Sequence, residues 1–108
     1  MTYERVVSIS PDHPALPGHF PGHPVVPGVL VMDEVIETLR EQYGRDLVVT
    51  GLPSVKLSSP LLPGERLTIT IEPDNEETAS FTCRVDSRLV AAGSIRFRSS
   101  AADRTITR

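Results

Sequence analysis

The 108-residue sequence has a single cysteine, Cys83, so neither an internal disulfide framework nor a thiolate zinc cluster can form within one chain. Long apolar runs are missing as well: none approaches the ~20 residues that cross a bilayer. Positive charge is not in excess. Eleven Lys and Arg stand against 14 Asp and Glu, for a net charge of −3. The chain as a whole therefore has no global attraction to nucleic acid or to an anionic membrane, and neither is expected as a partner. No internal repeat appears at a solenoid period.

What is present is the composition of a globular protein, 39% apolar and 23% charged, at a length that encloses one modest core. One domain is expected over residues 1–98, with residues 99–108 lacking apolar periodicity and reading as a frayed tail. The start, "MTYERVVSIS", has no basic segment leading into an apolar stretch, so no signal peptide is expected and the location is read as cytoplasmic. Cys83, in the alternating stretch "FTCRV", reads as a small buried hydrophobe.

Periodicity divides the chain. "YERVVSIS" from Tyr3 to Ser10 reads as a short strand that stops at Pro11. Pro11, Pro14, Pro17, Pro21, Pro24 and Pro27 then forbid a helix or a central strand and predict an extended, stiff loop. From Gly28 to about Tyr43 the pattern turns helical, with Val29, Met32, Val35, Ile36, Leu39 and Tyr43 assigned to one face, and Gly44 ends it. Residues Val48 to Ser58 predict a strand bent near Gly51 and Pro53. Period-two alternation follows in Leu67, Ile69 and Ile71, in Phe81, Cys83 and Val85, and in Leu89, Ala91, Ile95 and Phe97. Asp74 to Glu77 and Asp86 to Arg88 read as hairpin turns. Strands that are apolar on one face need a cover, and the helix is the only candidate. The expected fold is α+β, a curved antiparallel sheet of about five strands wrapped around one central helix.

All three histidines, His13, His19 and His23, lie in the proline loop. Their spacing across rigid prolines matches no compact metal-ligand pattern and no fourth ligand adjoins them, so no metal is assigned. The three-residue recurrence of the prolines resembles a polyproline II ligand, but a loop wedged between a strand and the only helix reads better as packed structure. The end of the loop suggests chemistry instead. Pro27 and Gly28 open the helix, where unpaired N–H groups and the positive end of the dipole can meet a developing oxyanion. On a helical wheel Glu34, Glu37 and Glu41 fall in the polar sector and read as surface charges. Asp33 lies nearer the apolar border, where desolvation would raise its pKa and let it act as an acid. A histidine base, such a carboxylate and helix N–H donors are the parts needed to remove a proton beside a carbonyl while a β-substituent departs.

These residues resemble a known family. "GHFPGHPVVPGVLVMD", from Gly18 to Asp33, is similar to the signature of the 3-hydroxyacyl-[acyl carrier protein] dehydratases of the FabZ/FabA-like hot-dog family, and "VKLSSPLLPGERL", from Val55 to Leu67, to their K-F-x-x-P-V-x-P-G-D segment. The resemblance implies a hot-dog fold and dehydration of a (3R)-hydroxyacyl thioester on acyl carrier protein to the trans-2-enoyl thioester, without a cofactor. It implies that His19 is the catalytic base, Asp33 the catalytic acid and Gly28 the donor that polarises the thioester carbonyl. It also implies a homodimer in which the histidine of one subunit works with the acid of the other. Phe20, Pro27 and Val29 would contact substrate, and Lys56 and Arg66 are candidates for the phosphopantetheine arm and its acidic carrier. His13 and His23 are assigned no catalytic role. The compact form with "DHPALPGHFPGHPVVPGV" resembles the dehydratases of aryl polyene and related pigment pathways, while Asp33 stands where most FabZ-type members have glutamate and Glu37 where the family often has glutamine. Two alternatives are an acyl-thioester hydrolase on the same fold, which the G-H-F-P signature disfavours, and a non-catalytic thioester- or carrier-binding subunit paired with another hot-dog protein.

Overall fold

A computed structural model describes residues 2–12 and 25–99. Strand β1 (Tyr3–Val7) leads through the proline loop to helix α1 (Gly28–Tyr43), and β2 (Val48–Leu57), β3 (Leu67–Pro73), β4 (Thr78–Val85) and β5 (Arg88–Arg98) follow. The strands form one antiparallel sheet in the order β1-β3-β4-β5-β2. The last three strands are a meander, and the two strands flanking the helix in sequence occupy opposite edges of the sheet. Connecting those edges carries α1 across the concave face, which is the expected fold. Among the described residues no helix is long and apolar enough to cross a membrane.

Alternation sets which side chains face the helix. Leu67, Ile69 and Ile71 of β3 are buried, as are Ala79, Phe81 and Cys83 of β4 and Ile95 and Phe97 of β5. They close around Val31, Val35 and Leu39 of α1. Burial pushes the Cys83 thiol up to about 12 and so holds it protonated. The helix bounds agree with the sequence reading, and Gly44, at φ 123°, closes α1 with its N–H donating to the Arg40 carbonyl. The bend expected in β2 is present as two register shifts against β5, between Val49 and Gly51 and between Gly51 and Ser54.

Several expectations are corrected. The first strand ends at Val7 rather than Ser10, although Ile9 still reaches the core and its carbonyl accepts from the Gly64 N–H. Alternation predicts Leu89 on the buried face. A β-bulge opposite Cys83 and Arg84 inserts Val90 between Leu89 and Ala91, so Val90 and Ala91 are both buried while Leu89 is only half-buried. The buried stripe of α1 runs through Val31, Val35, Thr38 and Leu39, and Val29, expected on it, is 65% exposed. Ser99, expected in the frayed tail, is buried and its hydroxyl donates to the Tyr43 carbonyl; residues 100–108 lie outside the described residues.

Gly93 of β5 is where the bent β2 comes closest. A Cβ there would stand 2.1 Å from the Ser54 carbonyl oxygen and 2.9 Å from Cε2 of Phe81. Neither atom can retreat easily, since one belongs to backbone and the other to a buried ring. Gly93→Ala is therefore expected to lower the unfolding free energy by about 2 kcal/mol or more, measured by urea denaturation, through overpacking of the β2–β5 contact.

Candidate active site

Among the described residues, helix α1 starts without help from side chains. Pro27 is its N-cap, with no side-chain cap hydrogen bond, and the first turn carries no acidic residue. The Leu30 N–H reaches back to the Pro27 carbonyl at 3.0 Å, leaving the Gly28 and Val29 N–H groups without a cap among the described residues. This positive helix end opens onto a cavity of 390 Å³ lined by Val26, Pro27, Gly28, Val31, Leu57 and Leu61, with Ser58, Ser59 and Val90 completing its wall. A Cβ at residue 28 would stand 2.7 Å from Leu57 Cδ1, so the glycine permits the wall to lie close against the helix start. The two motifs singled out in the sequence thus meet in one place. Val26, from the end of the first, is bridged to Leu61, from the second, by an N–H···O bond of 2.8 Å.

Asp33 does not face this cavity. Gly28 and Asp33 are five residues apart, which separates them by about 7.5 Å along the axis and roughly 140° around it. Asp33 is exposed and lines a second groove of 610 Å³ with Ile36, Glu37, Arg40, Leu47, Val48 and Val49, between the far side of α1 and the start of β2. The burial expected for it near the apolar border is not found among the described residues. Val29, Asp33, Ile36 and Arg40 form a stripe along α1, and the β2 edge beside it exposes Val48, Leu52, Val55 and Leu57. Among the described residues, an apolar strand edge and a helix flank bearing a carboxylate are therefore uncovered on the same side.

The remaining assignments separate clearly. His19 and Phe20, with His13 and His23, lie outside the described residues. Pro27 lines the first cavity, whereas Val29 does not. Lys56, opposite Ala92, and Arg66, at the foot of β3, are both exposed and line neither cavity. The polar-sector glutamates are more engaged than expected: Glu34 and Glu41 pair with Arg5 of β1, and Glu37 pairs with Arg45.

Sequence reasoning missed the latch that shapes the cavity wall. Glu65 closes the "PLLPGE" turn by accepting the Leu62 N–H at 2.8 Å, and both its oxygens accept from Nη2 of Arg88 at 2.8 and 2.7 Å. Nη1 of Arg88 donates to the Pro60 carbonyl at 2.6 Å, and the Ser59 hydroxyl donates to the Leu89 carbonyl at 2.8 Å. These bonds tie the wall to the β4–β5 hairpin. The Leu62 N–H, and then Arg88, hold the Glu65 carboxyl below its ordinary value of 4.5. The acid that follows the second motif's Pro-Gly was its only sequence signal; Arg88 gave none. The latch is complete above the ordinary carboxyl range and is lost as pH falls through the lowered value. Glu65→Gln is expected to raise hydrogen-exchange rates across residues 58–65 several-fold at neutral pH, read by mass spectrometry, while exchange in β3 and β4 stays as in the parent.

Comparison with known proteins identifies the family and the fold. The family model of the ApeI-like proteins, described as ApeI dehydratase, matches residues 2–94. A 3-hydroxyacyl-[acyl-carrier-protein] dehydratase FabZ from Acetivibrio thermocellus is 30% identical over 103 residues, spanning 85% of this chain and 70% of the relative. Among solved structures, the dehydratase heterocomplex ApeI:P from Xenorhabdus doucetiae superposes with a TM-score of 0.78 at 23% identity, covering 90% of this chain and 87% of that one. An acyl-CoA hydrolase from Staphylococcus aureus shares the fold, with a TM-score of 0.67 at 17% identity over 91% of this chain and 64% of that one. The five-stranded sheet around one helix is the hot-dog fold. With a family match over residues 2–94 of 108, the chain belongs to the ApeI-like dehydratases.

Proposed function

We propose that the protein removes water from (3R)-hydroxyacyl thioesters carried on the phosphopantetheine arm of acyl carrier protein, giving trans-2-enoyl thioesters. The observation that carries this reading is the uncapped start of α1 opening on an apolar cavity walled by the second motif. Such a cavity suits an acyl group, and the Gly28 N–H suits the enolate-like oxygen that develops as the C2 proton leaves. Neutral His19 takes that proton. Asp33 gives a proton to the C3 hydroxyl as the C3–O bond breaks, the C2–C3 double bond forms and one water departs. Solvent then returns the proton from His19 to Asp33.

Because Gly28 and Asp33 point away from each other in one chain, the reaction requires a site shared between two protomers. The second protomer is a copy of this chain seated along the β2 edge, where Val48, Leu52 and Val55 would be covered and Asp33 would lose its exposure to water. A hot-dog partner of different sequence could take the same edge, as the ApeI:P heterocomplex illustrates for that protein.

The assay is direct. Incubation with a 3-hydroxyacyl thioester is expected to raise enoyl absorbance without releasing free thiol; thiol release would instead identify a hydrolase, the reading that the S. aureus neighbour on this fold keeps in view. His19→Ala and Asp33→Asn are each expected to slow dehydration by about 10²–10⁴-fold. Mixing the two inactive variants provides the test of a shared site. A heterodimer of His19→Ala with Asp33→Asn holds one intact site and one doubly altered site, so about half the parental rate should return per heterodimer, or about a quarter per dimer in a fully exchanged 1:1 mixture. Failure of the mixture to recover activity, in a dimer shown by sedimentation to have exchanged subunits, would rule out sharing.

A further inference from the structure

We propose that Arg5 is a positioning residue that fixes the rotation of α1 and thereby the direction of Asp33; this rests on the reading of Asp33 as the acid. Arg5 lies on the helix-facing side of β1, opposite Ile69, with its side chain 22% exposed. Its guanidinium grips α1 at three successive turns. Nη2 pairs with the Glu34 carboxylate at 3.1 Å, Nη1 donates to the Glu34 carbonyl and to the Thr38 hydroxyl at 3.2 Å each, and Nε pairs with Glu41 at 3.1 Å. The grip is braced on both sides. The Thr38 hydroxyl, itself fully buried, donates to the same Glu34 carbonyl at 2.7 Å, and the Tyr3 hydroxyl donates to Glu41 at 3.2 Å.

Glu34 directly follows Asp33, so the two side chains leave the helix about 100° apart. Holding Glu34 toward β1 turns Asp33 toward the open groove beside β2. On that side the chain offers Asp33 no hydrogen bond or ion pair among the described residues, and the other polar tie to that flank is Arg45 on Glu37, a local link from the turn after the helix. The direction of Asp33 is therefore set from the opposite side of α1. A planar fork with five donors can hold a carboxylate, a carbonyl and a hydroxyl together, which a lysine ammonium on a flexible stem cannot do in one fixed geometry. Displacement of an acid by about 1 Å is enough to cost on the order of 10²-fold in rate.

The test compares kcat and KM of the full-length protein on a 3-hydroxyacyl thioester, with thermal unfolding as the check on folding. Arg5→Met is expected to lower kcat by about 10–100-fold while KM stays within about 3-fold. Arg5→Lys should fall between it and the parent. Glu41→Gln, which removes the grip's far end but leaves both Glu34 contacts, should keep kcat within about 2-fold even where it lowers Tm. In an Asp33→Asn background, Arg5→Met should add little further loss, because both changes act on one step. A folded Arg5→Met with parental kcat, or equal kcat losses in Arg5→Met and Glu41→Gln, or a full additional loss in the Asp33→Asn background, overturns the proposal. Should Arg5→Met not fold, Arg5→Lys and Glu34→Gln decide by the same kcat criterion. An Asp33→Asn variant with parental rate would overturn the reading of Asp33 and this proposal with it, whereas an inactive Asp33→Asn beside an unaffected Arg5→Met overturns only the latter.

Discussion

One helix must cover the concave face of a five-stranded sheet, and the rest of the molecule follows from how incompletely it does so. Val31, Val35 and Leu39 seal α1 against β3 and β4, and Arg5 ties its flank to β1. Burying those branched and leucine side chains supplies the main local driving force, at roughly 1.5–3 kcal/mol each. A helix about 10 Å across meets β2 only near the strand's ends, where Leu57 lies against Gly28 and where Val48 and Val49 line the Asp33 groove, and among the described residues Leu52 and Val55 between them stay exposed. The uncovered side is where both cavities lie and where the apolar residues of β2 stay exposed. The proposed function uses the gap left by packing.

The same geometry separates the chemical parts. A helix end can present backbone donors only along its axis, so Gly28 serves the cavity at the start of α1. Side chains leave the helix radially, so Asp33 serves the flank. No rotation of one helix brings both to a single point about 7.5 Å apart along the axis and on different sides. The second protomer proposed above would resolve this at the β2 edge, adding a partner to the backbone of an edge strand and covering its exposed valines and leucines.

Two groups of bonds hold the site's frame, and both span long sequence distances. Arg88 meets Glu65 across 23 positions to fix the cavity wall, and Arg5 meets Glu34 across 29 to fix the helix. Each is only partly exposed, so its charged hydrogen bonds are screened less than ordinary surface pairs. Each uses arginine, whose planar fork sets direction as well as distance.

The amino-acid sequence by itself determined the elements and their faces. Gly28 and Gly44 bound the helix as read, the kinks at Gly51 and Pro53 became the register shifts of β2, and period-two alternation marked the inner faces of β3 and β4. These signals are local, because propensity and periodicity act within a few residues. The first motif likewise marked Pro27 and Gly28, which the structure places in one cavity wall with the second motif, while His19 and Phe20 are outside the described residues. Tertiary structure alone decided the rest. Val29 left the buried stripe because the sheet contacts a sector of α1 centred on Val35, and Val90 entered the core because a bulge shifted β5 by one residue. Asp33 turned from Gly28, and Arg5 and Arg88 found their carboxylates, through contacts whose partners are far apart in the chain. Such contacts depend on the relative placement of whole elements, a quantity that no short window of residues contains.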